Sequence, residues 1–213
     1  DETVHDDLVG SIQKNMSEFF SGGIDAASKD YCSIANEHHF NRLRGALKQA
    51  VSSGAEVVSG GEASQSGLYL SPAILTGVNY ENPIMEEEIF GPILPIIKTK
   101  NLGEAIEYIN NNEKPLALYL FSNKGSEQNK VLKNTSSGGM VINDCVLHHM
   151  NPNLPFGGIN NSGVGSYHGK FGFDAFSHHK AVLKSSSFSP FKIMLPPYTK
   201  TKENLANLIK KYF

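Results

Sequence analysis

The chain has 213 residues, of which 39% are hydrophobic, and a formal net charge of -2. That is enough apolar material for a sizeable core, and the lack of a basic excess argues against nucleic acid as a principal partner. Two cysteines make no disulfide framework, which favours a reducing compartment, and no apolar run nears the roughly 18 residues of a membrane span.

Val4, Leu8, Ile12, Met16 and Phe19 recur at helical spacing, so residues 3–20 read as an amphipathic helix that Gly22-Gly23 should end. Cys32 falls in the following loop. Asn36 is a suitable N-cap for a second helix carrying Phe40, Leu43, Leu47 and Val51 on one face and closing at Gly54. Residues 55–59 read as a short buried strand, and 68–70 and 73–75 as extended segments split by Ser71-Pro72. Leu102, Ala105, Ile106 and Ile109 mark a third helix. Residues 116–121 form a continuous apolar strand of the kind covered on both faces. Ser126 should cap a fourth helix running to about Thr135, before a strand over 138–145. Strands alternating with helices predict an α/β fold built from parallel βαβ units. Residues 146–169, rich in Gly, Pro and Asn, are long for a connection, and such loops often carry function. A strand follows at 180–184. From Lys200, Leu205, Leu208, Ile209 and Tyr212 share a face among Lys200, Lys202, Lys210 and Lys211, a basic amphipathic helix.

The chemistry concentrates in Met85-Glu86-Glu87-Glu88-Ile89-Phe90-Gly91-Pro92. A short helical turn carrying the acids, a sharp bend at Gly91-Pro92 and a buried extended run are expected, and Pro95 argues against a central strand. Such a corner holds a carboxylate, able to accept both hydroxyls of a ribose, beside a ring able to pack on a flat heterocycle. A solvated acidic corner is the alternative. Gly163-Val164-Gly165 with Gly169 offers a partial dinucleotide fingerprint. No strand precedes it directly, so these glycines suit close backbone approach better. Cys145 with His148 and His149 admits a Cys/His nucleophile pair, but a buried cysteine filling the core at a strand end is the simpler reading. Adjacent histidines point apart and no second pair stands at usable spacing, so metal is rejected here and at His38-His39.

Glu87-Glu88-Ile89-Phe90-Gly91-Pro92 resembles the E-E-I-F-G-P motif of the NAD(P)-dependent aldehyde dehydrogenase superfamily, and residues 154–163 resemble its P-F-G-G-x-x-x-S-G segment. Ser166-Tyr167-His168-Gly169-Lys170 and Phe176-Ser177-His178 are similar to the class 3 and fatty-aldehyde branch. The resemblance implies NAD or NADP as cofactor, with Glu88 on the nicotinamide ribose and Phe90 beside the nicotinamide. It implies an aldehyde path lined by Phe156, with Asn143 and His168 shaping the same region. His39 and Arg42 fall where relatives place adenosine-side contacts, although an exposed polar helix face is the better expectation for them. The family's nucleophile and general base lie in G-Q-x-C and E-L-G-G-K segments, and neither occurs in this chain. Tyr167 stands where many relatives carry a Glu that assists the hydrolytic water.

The expected organisation is a catalytic portion over 1–178, an oligomerisation strand over 179–187 joining a homodimer, and a tail over 188–213. The chain begins at Asp1 inside a helical pattern, which suggests a fragment, and the resemblance implies the C-terminal part of a longer enzyme that oxidises aliphatic or fatty aldehydes. The rival is a catalytically silent, shortened paralogue serving as an assembly module. Cytoplasmic localisation is expected, at the cytosolic face of a membrane if the tail binds lipid.

Overall fold

The computed structural model describes residues 1–20, 30–185 and 195–212. Asn36 does what its position predicts. Its Oδ1 accepts the His39 N–H at 2.9 Å and starts helix α2, Glu37–Ser52. Phe40, Leu43 and Leu47 are buried as expected, while Ala50 rather than Val51 takes the last core position. Gly54, at φ +101, then turns the chain into β1, Glu56–Ser59.

Strand β1 pairs antiparallel with β4, Ala73–Thr76, and β4 pairs parallel with β5, Ile93–Pro95, giving the order β1-β4-β5. The outer strand β1 is half open to solvent, not buried as its sequence suggests, while the central β4 is buried throughout. Pro95 sits on the other edge strand, where its missing N–H costs no ladder bond. A two-residue pairing of β2, Ala63–Ser64, with β3, Tyr69–Leu70, lies alongside. Phe40, Leu43, Leu47 and Ala50 of α2 meet Leu70, Leu75, Ile84 and Ile93 in the main core.

The expected βαβ unit is present. β6, Ala117–Leu120, runs parallel to β7, Gly139–Ile142, with helix α4, Gly125–Asn134, between them and α3, Leu102–Asn111, just before. Two local expectations fail. Ser126 lies inside α4, whose first turn is organised by Ser122: its Oγ accepts the Lys124 N–H at 3.1 Å and donates to Glu127 at 2.6 Å. The strand β6 is not covered on both faces, since Tyr119 and the flanking Leu116 and Phe121 are exposed within this chain.

Helix α1, His5–Phe19, forms over the predicted stretch, yet Val4, Leu8 and Phe19 are exposed and only His5 is buried. The Gly22-Gly23 stop lies outside the described residues, as do the end of the 179–187 segment and residues 188–194 of the tail. Residues 180–184 belong to no strand in the single chain, and Val182 and Leu183 face solvent. Lys200–Tyr212 is helical, with Leu205, Leu208 and Ile209 partly exposed. No helix among the described residues is long and apolar enough to cross a membrane.

Tyr31 ties the loop before α2 to the core, its hydroxyl donating to the Leu70 carbonyl at 2.8 Å. Burial first, then the neighbouring Tyr69 and Cys32, pushes its phenol up from 10.0 to about 12. The unfolded phenol ionises at lower pH than the folded one, so the folded state binds more protons in that window and stability falls as pH rises from 10 towards 12. Tyr31→Phe should lose about 1 kcal/mol at neutral pH with the hydrogen bond and decline less steeply through the alkaline window. Urea midpoints measured across that range check both.

Candidate functional site

The acidic corner is built from the core outward. Asn82, only 2% exposed, donates through Nδ2 to the Ala50 carbonyl at 3.2 Å and accepts the Ile84 N–H at 3.1 Å, capping a 3-10 turn over Pro83–Met85. This turn precedes the acids instead of carrying them, because Pro83 and Ile84 anchor it against α2 while three adjacent carboxylates are better left in water. Glu86, Glu87 and Glu88 are all exposed. Ile89 turns inward against the core, and its carbonyl accepts from Arg42 Nη2 at 2.6 Å. Phe90 then stands 81% exposed at φ +42. Gly91 packs so closely on Leu43 that a Cβ there would overlap both leucine methyls. The Pro92 carbonyl accepts the Ala73 N–H at 2.8 Å as β5 begins.

The corner therefore presents a carboxylate and a ring to solvent from a backbone held on both sides. Among the described residues Glu88 makes no hydrogen bond or ion pair, so both of its oxygens are available to a ligand. That arrangement fits the two hydroxyls of a ribose, with the open face of Phe90 beside a flat ring. A cavity of about 360 Å³ behind the corner is lined by Arg42, Gln49, Ile84, Glu86, Glu87 and Ile89, and Glu88 is not among its walls. His39 is exposed as expected, but Arg42 is half-buried and engaged, which corrects its reading as an exposed polar face. Sequence alone gave no signal for this bond, since it joins residues 47 positions apart.

A second group of side chains gathers on the Gly-rich loop. Phe156 and Tyr167 form an antiparallel bridge, with N–H to carbonyl distances of 3.1 and 2.9 Å. Around Phe156 stand His149 at 4.7 Å, His148 at 5.3 Å, Tyr167 at 5.8 Å and His168 at 6.0 Å between ring centres. The rings of Tyr167 and His168 are 4.4 Å apart, and His168 is held at φ +85. Both ring nitrogens of His148 and Nδ1 of His168 are buried without a partner among the described residues. Polar atoms in that condition are uncommon in folded proteins.

The glycines let this loop double back. A Cβ on Gly157 would overlap the Gly165 carbonyl, and one on Gly158 would overlap Ser162. Val164 is 99% exposed, and Gly163 lies against the backbone of Gly158, so the glycines of the partial fingerprint serve close backbone approach as expected. Sequence reasoning weighed His148 and His149 as partners of Cys145, but the structure gives them to the aromatic cluster. Cys145 is exposed, not core filler, because β7 ends at Ile142 and the chain turns outward at Asn143 and Val146, both at positive φ. Asn143 accepts the Ser122 N–H at 2.8 Å and donates its own N–H to the Leu120 carbonyl at 2.7 Å, joining the ends of β6 and β7. It takes no part in the ring contacts, and neither do Glu88 and Phe90. No three His, Cys, Asp or Glu side chains among the described residues converge as metal ligands would.

An α/β fold with a parallel βαβ unit, an acid-aromatic corner on one helix and a glycine-held aromatic loop defines a recognisable class. Residues 1–182 match the aldehyde dehydrogenase family, and the chain belongs to it. It is 43% identical over 187 residues to the dimeric NADP-preferring aldehyde dehydrogenase of Rattus norvegicus, covering 87% of this chain and 40% of that protein. It is 42% identical over 216 residues to aldehyde dehydrogenase family 3 member A2 of Mus musculus, covering 99% of this chain and 43% of that one. The substrate-bound structure of Staphylococcus aureus AldH superposes with a TM-score of 0.88 at 40% identity, over 98% of this chain and 44% of that one. The chain thus spans about two fifths of the length of the relatives it matches.

Gly158→Ala should break the loop, since the overlap is with backbone and nothing flexible can yield. A loss of about 2–4 kcal/mol is expected, together with loss of the ring-current-shifted signals of Phe156 and Tyr167 by NMR. A variant with unaltered ring shifts would show that the close approach is dispensable.

Proposed function

We propose that this chain is the C-terminal portion, mostly catalytic domain, of a class 3-like aldehyde dehydrogenase that oxidises aliphatic or fatty aldehydes to carboxylates with NAD or NADP. The observation that carries this reading is the Glu88–Phe90 corner: an unpartnered carboxylate and an exposed ring held one residue apart by a fixed backbone. Glu88 accepts the hydroxyls of the nicotinamide ribose, and Phe90 bounds the nicotinamide. When bound, that group supplies the hydride acceptor. Phe156 and His168 line the aldehyde path and exclude water from it, with His149 and Tyr167 packed against them. Asn143 shapes the same wall from behind by fixing how the chain leaves β7.

Neither a G-Q-x-C nor an E-L-G-G-K segment occurs in the chain, so the attacking thiolate and the general base are assigned to another part of the whole protein. The same reading assigns the exposed apolar faces of β6 and α1 to contact with that part. Residues 179–187 act as an oligomerisation strand in a homodimer, and the exposure of Val182 and Leu183 supports it. The tail over 188–213, with its lysines and its half-exposed apolar face, associates with the cytosolic face of a membrane. The missing nucleophile segment equally favours a second reading, a catalytically silent module that assembles with a partner.

Two experiments test these readings. The 213-residue chain alone should turn over no aldehyde, and turnover that follows the purified chain through successive columns overturns the division of labour. In the whole protein, Glu88→Gln should lower kcat/KM for the dinucleotide about 10- to 100-fold, the equivalent of a charge-assisted hydrogen bond. Part of that loss should appear in kcat, because a loosely held ring is misplaced for transfer. Wild-type kinetics in Glu88→Gln would leave the acids as a solvated corner.

A further inference from the structure

We propose that Arg42 is a positioning residue for the cofactor corner: by holding the Ile89 carbonyl it fixes where Glu88 and Phe90 point. This rests on the reading of Glu88 and Phe90 as nicotinamide-side contacts. Phe90 stands at φ +42, in the left-handed region that a bulky residue seldom occupies unless its neighbours leave it no choice. Both neighbours are fixed by successive residues of one helix. On one side the Arg42 Nη2 to Ile89 carbonyl bond, at 2.6 Å, joins the peptide directly before Phe90 to α2. On the other side Gly91 lies against the Leu43 methyls with no room for a Cβ. The corner is thus carried as a rigid extension of α2.

The guanidinium serves the carbonyl and not an acid. Among the described residues it has no carboxylate within ion-pair distance, although Glu86 and Glu87 line the same cavity. A charged donor on a neutral carbonyl restrains direction without quenching the carboxylate that must meet the ligand. Lysine would bring a compact, strongly hydrated ammonium on a more flexible stem, so it should hold the carbonyl less firmly than the planar guanidinium does.

Two measurements test this. In the 213-residue chain, Arg42→Met should lower the backbone amide NMR order parameters of residues 88–91 from about 0.85 towards 0.6 or below, with those of the β4 core unchanged. In the whole protein, Arg42→Met should raise KM for the dinucleotide about 5- to 20-fold while KM for the aldehyde stays within about twofold, and Arg42→Lys should recover part of the loss. The decisive arm is the triple variant. If Arg42 acts through the corner, Arg42→Met should add little once Glu88→Gln and Phe90→Ala have removed the contacts it positions. Additive losses, or unchanged order parameters at 88–91, overturn the proposal even where Glu88→Gln confirms the corner. An unaffected Glu88→Gln sinks the cofactor reading and this inference with it. Should Arg42→Met fail to fold, Arg42→Lys carries the same cycle.

Discussion

The packing of α2 against β4 and the 3-10 turn at Pro83–Met85 is the constraint on which the rest depends. One helix supplies four buried core residues, receives the Asn82 amide at its Ala50 carbonyl and offers Arg42 and Leu43 to the corner that follows. Core formation and site formation are therefore one event. Burying Phe40, Leu43 and Leu47 contributes roughly 1.5–3 kcal/mol each, and the same registration of α2 sets the Ile89 carbonyl within reach of a guanidinium. A slip of α2 along its axis would lose the core and the corner together.

The second half is organised differently. In the βαβ unit of β6, α4 and β7, Val131 is the one fully buried side chain, and the loop that follows is held by backbone proximity instead of apolar volume. Glycines at 157, 158 and 163 let two strands of loop touch, and that contact sets Phe156 opposite Tyr167. The aromatic and imidazole rings then pack on a scaffold they did not build.

How much of this the sequence discloses follows the range of the forces involved. Asn36 as a cap, α2 with three of its four core positions, the edge placement of Pro95, the βαβ unit and the terminal helix are all local, and all were legible. Ser126 misled because a Ser four residues earlier competes for the same helix start, and only the fold decides which hydroxyl meets Lys124. Coverage of β6 was unreadable because apolar content states what a strand tolerates, not what this chain places over it. Cys145 was misjudged by three residues of strand length, and that difference moves it from core to solvent. Of the candidate site, the residues of the acid corner and Phe156 were legible as motifs. What holds them was not.

That division has a physical cause beyond distance in sequence. Glu88, Phe90 and Phe156 are legible because each sits in a short contiguous motif whose letters can be read without knowing the fold. Arg42, Leu43, Gly158 and His148 face the chain itself, and many residue sets could supply the same restraint. A carbonyl needs a donor, but nothing in a string of letters says which of 19 Lys and Arg side chains provides it. The φ of +42 at Phe90 makes the point sharply: an aromatic residue in that region is an anomaly until both flanks are seen to be pinned by α2. Strain at a solvent-facing residue and strength in its anchors are then two sides of one arrangement. The exposed ring keeps its direction because the helix beneath it bears the cost.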